Sequence, residues 1–228
     1  MYFYGGHYYL VIIGMLLCAY ASYKVNATFK RYSKVANKRG FTGADAARYI
    51  LESQGITDVE VRHIRGNLTD NYNPGDNTLN LSDATYNSTS VAAIGVAAHE
   101  CGHAIQHDRG YVPITLRNAI LPFANIGSYL SWILIAVGIA IGGTKSVILL
   151  NAGIISFFAV VLFQIVTLPV EFNASSRALK ILKTSGMLDS DELGMSRKVL
   201  SAAAMTYVAA VASSVLQLIR LIFIADRR

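Results

Sequence analysis

Charge is what this sequence has least of: only 15% of its 228 residues are Asp, Glu, Lys or Arg, while 53% are hydrophobic. Soluble domains carry roughly 25% charged residues, so a purely soluble chain is excluded. Cysteine is scarce as well. Cys18 and Cys101 are the only two, too few for a disulfide framework, and redox chemistry is not expected of them. Internal repeats and low-complexity tracts are absent. The formal net charge is +6, but the basic residues cluster beside apolar runs. A nucleic-acid surface interleaves them with polar and stacking groups, so no nucleic-acid partner is expected.

What the sequence does have is four stretches without a single Asp, Glu, Lys or Arg: residues 1–23, 118–144, 146–170 and 199–219. Each meets the roughly 20-residue length that a helix needs to cross a bilayer, which makes a polytopic membrane protein with lipid as its first partner. The first stretch lacks a basic leading region and a small-x-small cleavage site, and therefore reads as an uncleaved anchor over 1–23. Lys24, Lys30, Arg31, Lys34, Lys38 and Arg39 follow it with no intervening acid. Basic residues flanking a span stay on the cytoplasmic side, so residues 24–117 are expected there, in the cell membrane's inner face, with the N-terminus outside. Residues 118–170 then form a transmembrane hairpin about a turn at Gly142, Gly143, Thr144 and Lys145, and 171–198 return to the cytoplasm as a short aqueous segment. The apolar helix expected within 199–228 either spans, leaving Arg227 and Arg228 outside against the charge rule, or packs half-buried on the aqueous domain. Tyrosines at 2, 4, 8, 9, 20 and 23 bracket the first stretch, as an interfacial belt or as packing inside a bundle.

The aqueous part is patterned as a small α+β domain. Thr42 with Asp45 forms a capping-box pattern ahead of Ala46, Ala47, Ile50 and Leu51 at helical spacing, predicting a helix over 43–54 that stops at Gly55. Residues 59–64 and 77–82 alternate as short strands around the turn-forming Asn73, Pro74, Gly75 and Asp76. The second strand either pairs with an extended substrate or belongs to a plain structural hairpin. A further helix should begin near Asn87 or Ser88 and run through His107 to Gly110.

That helix carries Ala98-His99-Glu100-Cys101-Gly102-His103, a complete H-E-x-x-H. Histidines at i and i+4 share one face one turn apart, so both imidazoles can reach a single Zn2+, while the intervening carboxylate lies beside the place a reacting water would take. Neutral imidazoles leave the metal Lewis-acidic, and a carboxylate that is not a ligand is free to act as base. Ile94, Ala97, Ala98, Cys101 and Ile105 form an apolar stripe on another side, which makes Cys101 a core residue. His107 lies eight residues from His99, about 12 Å along a helix, too far for both to bind one metal. Gln106 and Arg109 stand where the extended metzincin pattern needs Gly and a third His, so the third ligand must come from elsewhere.

The first carboxylate after the hairpin is Glu171, at the exit of the third apolar stretch just past Pro169. A carboxylate beside hydrocarbon is costly unless a metal, or an ion pair such as one with Arg177, compensates it. H-E-x-x-H, a two-helix membrane insertion and then E-x-x-A resemble the membrane metallopeptidases related to HtpX and the CAAX prenyl protease. Through residues 98–107 and 169–178 the chain more closely resembles the YugP-type neutral zinc metallopeptidases of bacterial membranes, over nearly its whole length. The resemblance implies a zincin-like, gluzincin-type peptidase domain, one Zn2+ per chain held by His99, His103 and Glu171, and Glu100 as base. One departure is Ser175, which stands where the HtpX-like pattern has Asp, four residues after the ligand Glu; Asn173 or Ser175 is then the candidate to support a ligand histidine.

These residues predict a zinc metalloendopeptidase that cuts membrane proteins or peptides at the cytoplasmic membrane surface. Arg177, Tyr207 and His63 have the chemistry of an oxyanion donor, and the sequence does not choose among them. A catalytically silent zinc scaffold is the alternative, although it has no need of a base such as Glu100. A metal transporter would place His, Asp or Glu in its spans, and these stretches hold only His7, near one end.

Overall fold

The computed structural model describes residues 7–226, apart from the side chains at 143–145. Tyr2, Tyr4, Arg227 and Arg228 lie outside the described residues. The chain runs α1 (Tyr8–Tyr32), α2 (Gly43–Ser53), β1 (Glu60–Ile64), β2 (Asn71–Asn73), β3 (Thr78–Ser82), α3 (Val91–Asp108), α4 (Val112–Ile141), α5 (Gly143–Thr184) and α6 (Ser190–Ala225). The protein is thus mostly helical with one small sheet. Helices α1, α4, α5 and α6 are each long and apolar enough to cross a membrane. This includes α6, whose apolar stretch sits inside a single 36-residue helix.

By its contacts the chain forms two compact units. The first comprises residues up to Ser22, Thr115–Leu168, and residues from Thr206. It turns Phe123, Ile126, Ile133, Ile148 and Ile155 outward, as helices in lipid do. Gly127 and Gly153 let α4 and α5 approach closely: a Cβ on Gly127 would lie 2.5 Å from the Ser156 carbonyl oxygen, and one on Gly153 2.7 Å from Ile135. Small residues at such contacts are how helices pack where lipid offers no hydrophobic driving force. The hairpin turn is tighter than the four-residue one expected, because Gly142 at φ +67° makes the whole reversal between Ile141 and Gly143.

The second unit comprises Tyr23–Ile114 and Pro169–Met205. Its helix α2 forms where the capping box predicts: the Thr42 side chain accepts from the Asp45 N–H, and the Asp45 carboxylate accepts from the Thr42 N–H. Hydrogen bonds from Thr42 hold the Asp45 carboxyl below the usual carboxylate range. The sheet has the order β1-β3-β2, with β1 parallel and β2 antiparallel to β3. Central β3 is covered on both faces, with Leu79 and Leu81 fully buried. Its two edges are taken by β1 and β2, so of the two readings of this strand the structural hairpin, with β2, holds and pairing with an extended substrate does not.

Of the basic residues that follow the first apolar stretch, Lys24, Lys30 and Arg31 lie within α1. The sequence suggests that Pro169 ends or kinks the third apolar stretch, but it does not end α5, which continues for fifteen more residues to Thr184. Residues 171–198 are accordingly the end of α5, a short link and the start of α6. Proline removes a single helical N–H, and the packing of α5 on both sides of it outweighs that loss.

Candidate metal centre

Helix α3 is the centre of its unit, with fourteen of its eighteen residues buried. Alanine and glycine at 92, 93, 95, 97, 98, 102 and 104 make it thin enough to be surrounded. It begins at Val91, three or four residues later than its sequence suggests, with Ser90 as cap accepting from the Ala93 N–H. The earlier cap-type residues are tied elsewhere: the Ser88 carbonyl accepts from the Gly43 N–H and the Thr89 carbonyl from the Asn37 N–H. Its far end stops at Gly110, in the left-handed conformation at φ +59°.

Along α3 the apolar stripe faces the core, and Cys101 lies fully buried within it, its thiol donating to the Ala47 carbonyl at 3.6 Å. Burial pushes that thiol's pKa far up, so it offers no thiolate. On another side, His99 and His103 bring their Nε2 atoms to 3.2 Å of each other. Glu171 of α5 places Oε2 at 3.3 Å from the first and 3.5 Å from the second. These three are the potential metal-ligand cluster among the described residues.

The donor set fits zinc. Bonds of roughly 2.0–2.2 Å in a tetrahedron separate ligand atoms by roughly 3.3–3.6 Å, which is the scale of the three edges observed. Glu171 is 4% exposed, and its Oε2 faces the two imidazoles without a well-formed hydrogen bond. A buried carboxylate so placed costs several kcal/mol unless a cation compensates it. Three protein ligands also leave a fourth position open, as catalytic rather than structural zinc sites do.

The histidines are oriented from behind. Gln106, fully buried, donates from Nε2 to the Val170 carbonyl at 2.8 Å and to Asn173 Oδ1 at 3.0 Å. Both are acceptors, so the amide must turn Oε1 toward His103 Nδ1, 3.1 Å away. An amide oxygen only accepts, hence Nδ1 carries the proton and a neutral His103 directs the lone pair of Nε2 at the cluster. Ser175 Oγ stands 3.0 Å from His99 Nδ1 and fills the same place for that ring. Burial opposes charge on His103, but its contact with the Glu171 carboxylate outweighs it and holds the imidazole pKa above its ordinary value. A cation is thus favoured at this spot whether it is a proton or a metal.

Close approach of α5 depends on Gly102. A Cβ there would lie 2.6 Å from the Ala174 carbonyl oxygen, so only glycine lets the backbone flanked by Glu171 and Ser175 come this near to α3. Gly102→Ala should raise helix propensity by about 1 kcal/mol and still damage the protein. We expect lower zinc occupancy and a lower melting temperature, read by metal analysis and thermal unfolding; full zinc in this variant would show that α5 can retreat without withdrawing Glu171.

Glu100, next to His99 in sequence, is 9% exposed and accepts from the Tyr72 N–H at 3.0 Å, which fixes its carboxylate against the edge of β2. The remaining sequence candidates fall away from the cluster or pair elsewhere. His107 is exposed and near the Tyr72 hydroxyl. Arg177 does not pair with Glu171; its Nε donates to Asn173 Oδ1 at 2.7 Å, and its guanidinium lies over the Tyr111 ring. His63 pairs with Asp83 at 2.7 Å, and Tyr207 belongs to the other unit. Gln106 and Gly102 are the residues that sequence reasoning missed. The signal for Gln106 was available: an amide three residues after a candidate ligand histidine, within one helical turn of it.

Four helices long and apolar enough to cross a membrane, and a buried two-histidine, one-carboxylate cluster, are the features of a membrane protein of the zinc-peptidase class. The chain belongs to the family described as "Putative neutral zinc metallopeptidase", whose model matches residues 7–226. It is 44% identical over 216 residues, 95% of either chain, to a Bacillus subtilis (strain 168) protein described as "Putative membrane protease YugP". No solved structure matches it.

Proposed function

We propose that this protein is a membrane-embedded zinc endopeptidase in which His99, His103 and Glu171 hold one Zn2+ per chain and Glu100 is the general base. The observation that carries this reading is the convergence of two imidazole nitrogens and a buried carboxylate oxygen at 3.2–3.5 Å, with a second carboxylate, Glu100, next in sequence to His99 but outside the set. Zinc bound there would polarise a peptide carbonyl and bring the pKa of water toward about 7. Glu100 takes the proton of the attacking water and delivers it to the leaving amine as the C–N bond breaks. The Tyr72 N–H holds one carboxylate oxygen, leaving the other free for that transfer. Gln106 and Ser175 keep both rings in place through the cycle.

The run of basic residues from Lys24 to Arg39 supports a cytoplasmic position for the site. Substrates are then membrane proteins or membrane-released peptides cut near that interface. The test adds a membrane-tethered peptide library to sealed vesicles. Inside-out vesicles should cleave it, right-side-out vesicles should not, and chelation should abolish cleavage until zinc is restored. Zinc bound without any hydrolysis would favour the silent scaffold, and cleavage only by right-side-out vesicles would invert the topology.

A further inference from the structure

Within the second unit, remote from H-E-x-x-H in sequence, α1 and α6 line an open cavity of about 550 Å³. Four cations line it, Lys24 and Arg31 from α1 and Arg197 and Lys198 from α6, together with the hydroxyls of Thr28 and Ser201. Among the described residues no acidic side chain does. Near the start of α6, Asp189 pairs with Lys38, Glu192 accepts from the backbone N–H groups of Lys38 and Asp189, and Asp191 lies outside the lining. Arg31 is steadied by the Tyr32 ring, 5.6 Å from its guanidinium carbon to the centroid.

Such a cluster is not what membrane orientation alone demands. The charge rule asks for basic residues near the ends of a span, and it is satisfied wherever on the helix they point. Here residues about 170 positions apart in sequence converge on one hollow, where like charges repel one another unless an anion joins them. Arginine forks and hydroxyls are the donors that recognise phosphate oxygens. The rest of the lining includes Ala27, Ala202 and Met205, apolar groups that suit the glycerol and first methylenes of a lipid better than the hydration shell of a free ion. Tyr23 and Met205 are also the last residues of this unit on α1 and α6, next to the apolar stretches of both helices.

We propose that this cavity binds the phosphate of an anionic phospholipid. Basic pockets between membrane helices are suited to this, each Lys or Arg near the headgroup adding favourable energy. The inference does not depend on the metal site or on hydrolysis.

The test uses the full-length protein in neutral detergent, mixed with phosphatidylglycerol or phosphatidylcholine of the same acyl chains, with retained lipid counted by native mass spectrometry. Wild type should retain phosphatidylglycerol about tenfold better than phosphatidylcholine, and Arg31→Gln with Arg197→Gln should erase that preference. Lys30→Gln with Lys34→Gln removes the same charge outside the cavity, beside Arg31 in sequence, and should leave the preference within about twofold. If the first pair fails to fold, Lys24→Gln with Lys198→Gln carries the same expectation. Equal losses in the cavity and control pairs would reduce the effect to diffuse charge and overturn the proposal. Inorganic phosphate at about 20 mM, matched in ionic strength by chloride, is the second arm. A phosphate-specific thermal shift abolished by the cavity pair, without any preference between the lipids, would assign the hollow to a soluble anion and overturn the lipid reading.

Discussion

Glu100→Gln should bind zinc as the wild type does and hydrolyse peptide roughly 10²- to 10⁴-fold more slowly, the range lost when a positioned proton-transfer group is removed. The substitution is nearly isosteric, and the fold has a place for it. Glu100 accepts a hydrogen bond from the Tyr72 N–H. A glutamine can offer its oxygen to that donor and turn its NH2 the other way, so β2 stays seated on α3. His99, His103 and Glu171 are untouched, and zinc content should stay at one per chain. What disappears is the basic oxygen, because an amide neither takes a proton from water nor returns one to the leaving amine. Metal analysis and initial rates on the same preparation separate the two effects. An unchanged rate at full zinc content would assign the base to another residue, and a loss of zinc would mean that Glu100 helps to hold the metal.

The parts of this fold that could be read from sequence are those set by local chemistry. Thr42 and Asp45 close a box within four residues, and the four charge-free stretches need only length and composition to be recognised. His99 and His103 share a face by helical period alone. Glu171 was legible because topology left few carboxylates to choose from. What could not be read is tertiary. Strand β2 is only Asn71–Asn73, too short and polar to show a period, yet it occupies the edge of β3 and the hydrogen bond of Glu100. The start of α3 is moved to Ser90 because Ser88 and Thr89 are bonded to Gly43 and Asn37, partners about 45 and 52 positions away. Gly102 looks like a weak point in a helix until the Ala174 carbonyl is placed against it. The missing Asp of the HtpX-like pattern is answered by two residues: Ser175 reaches His99, and Gln106, from α3 itself, reaches His103.

Glu171→Ala should lose zinc while the protein still inserts and folds. Residues supporting ligands typically change metal affinity by 10- to 100-fold, so deleting one of three ligands should cost more than about 100-fold. The helix has reason to survive the change. Val170, Ala174 and Ala178 on α5 are fully buried and remain in place, as do the bonds from Gln106 to Val170 and Asn173. Removing a carboxylate from the end of an apolar helix makes insertion no harder, since an acidic residue inside a span costs up to about 3 kcal/mol. The contact that raises the His103 pKa is lost as well, so the metal-free variant should be somewhat less stable than metal-free wild type, and zinc should raise the melting temperature of wild type alone. Loss of zinc with intact insertion ties the third ligand to the residue two positions beyond Pro169, where α5 leaves its apolar stretch. Catalysis at that point, as proposed, would select substrates that present an extended segment at the membrane surface, which soluble folded proteins seldom do. Full, tightly held zinc in Glu171→Ala would place the third ligand elsewhere, and the preference for membrane-proximal substrates would lose its basis.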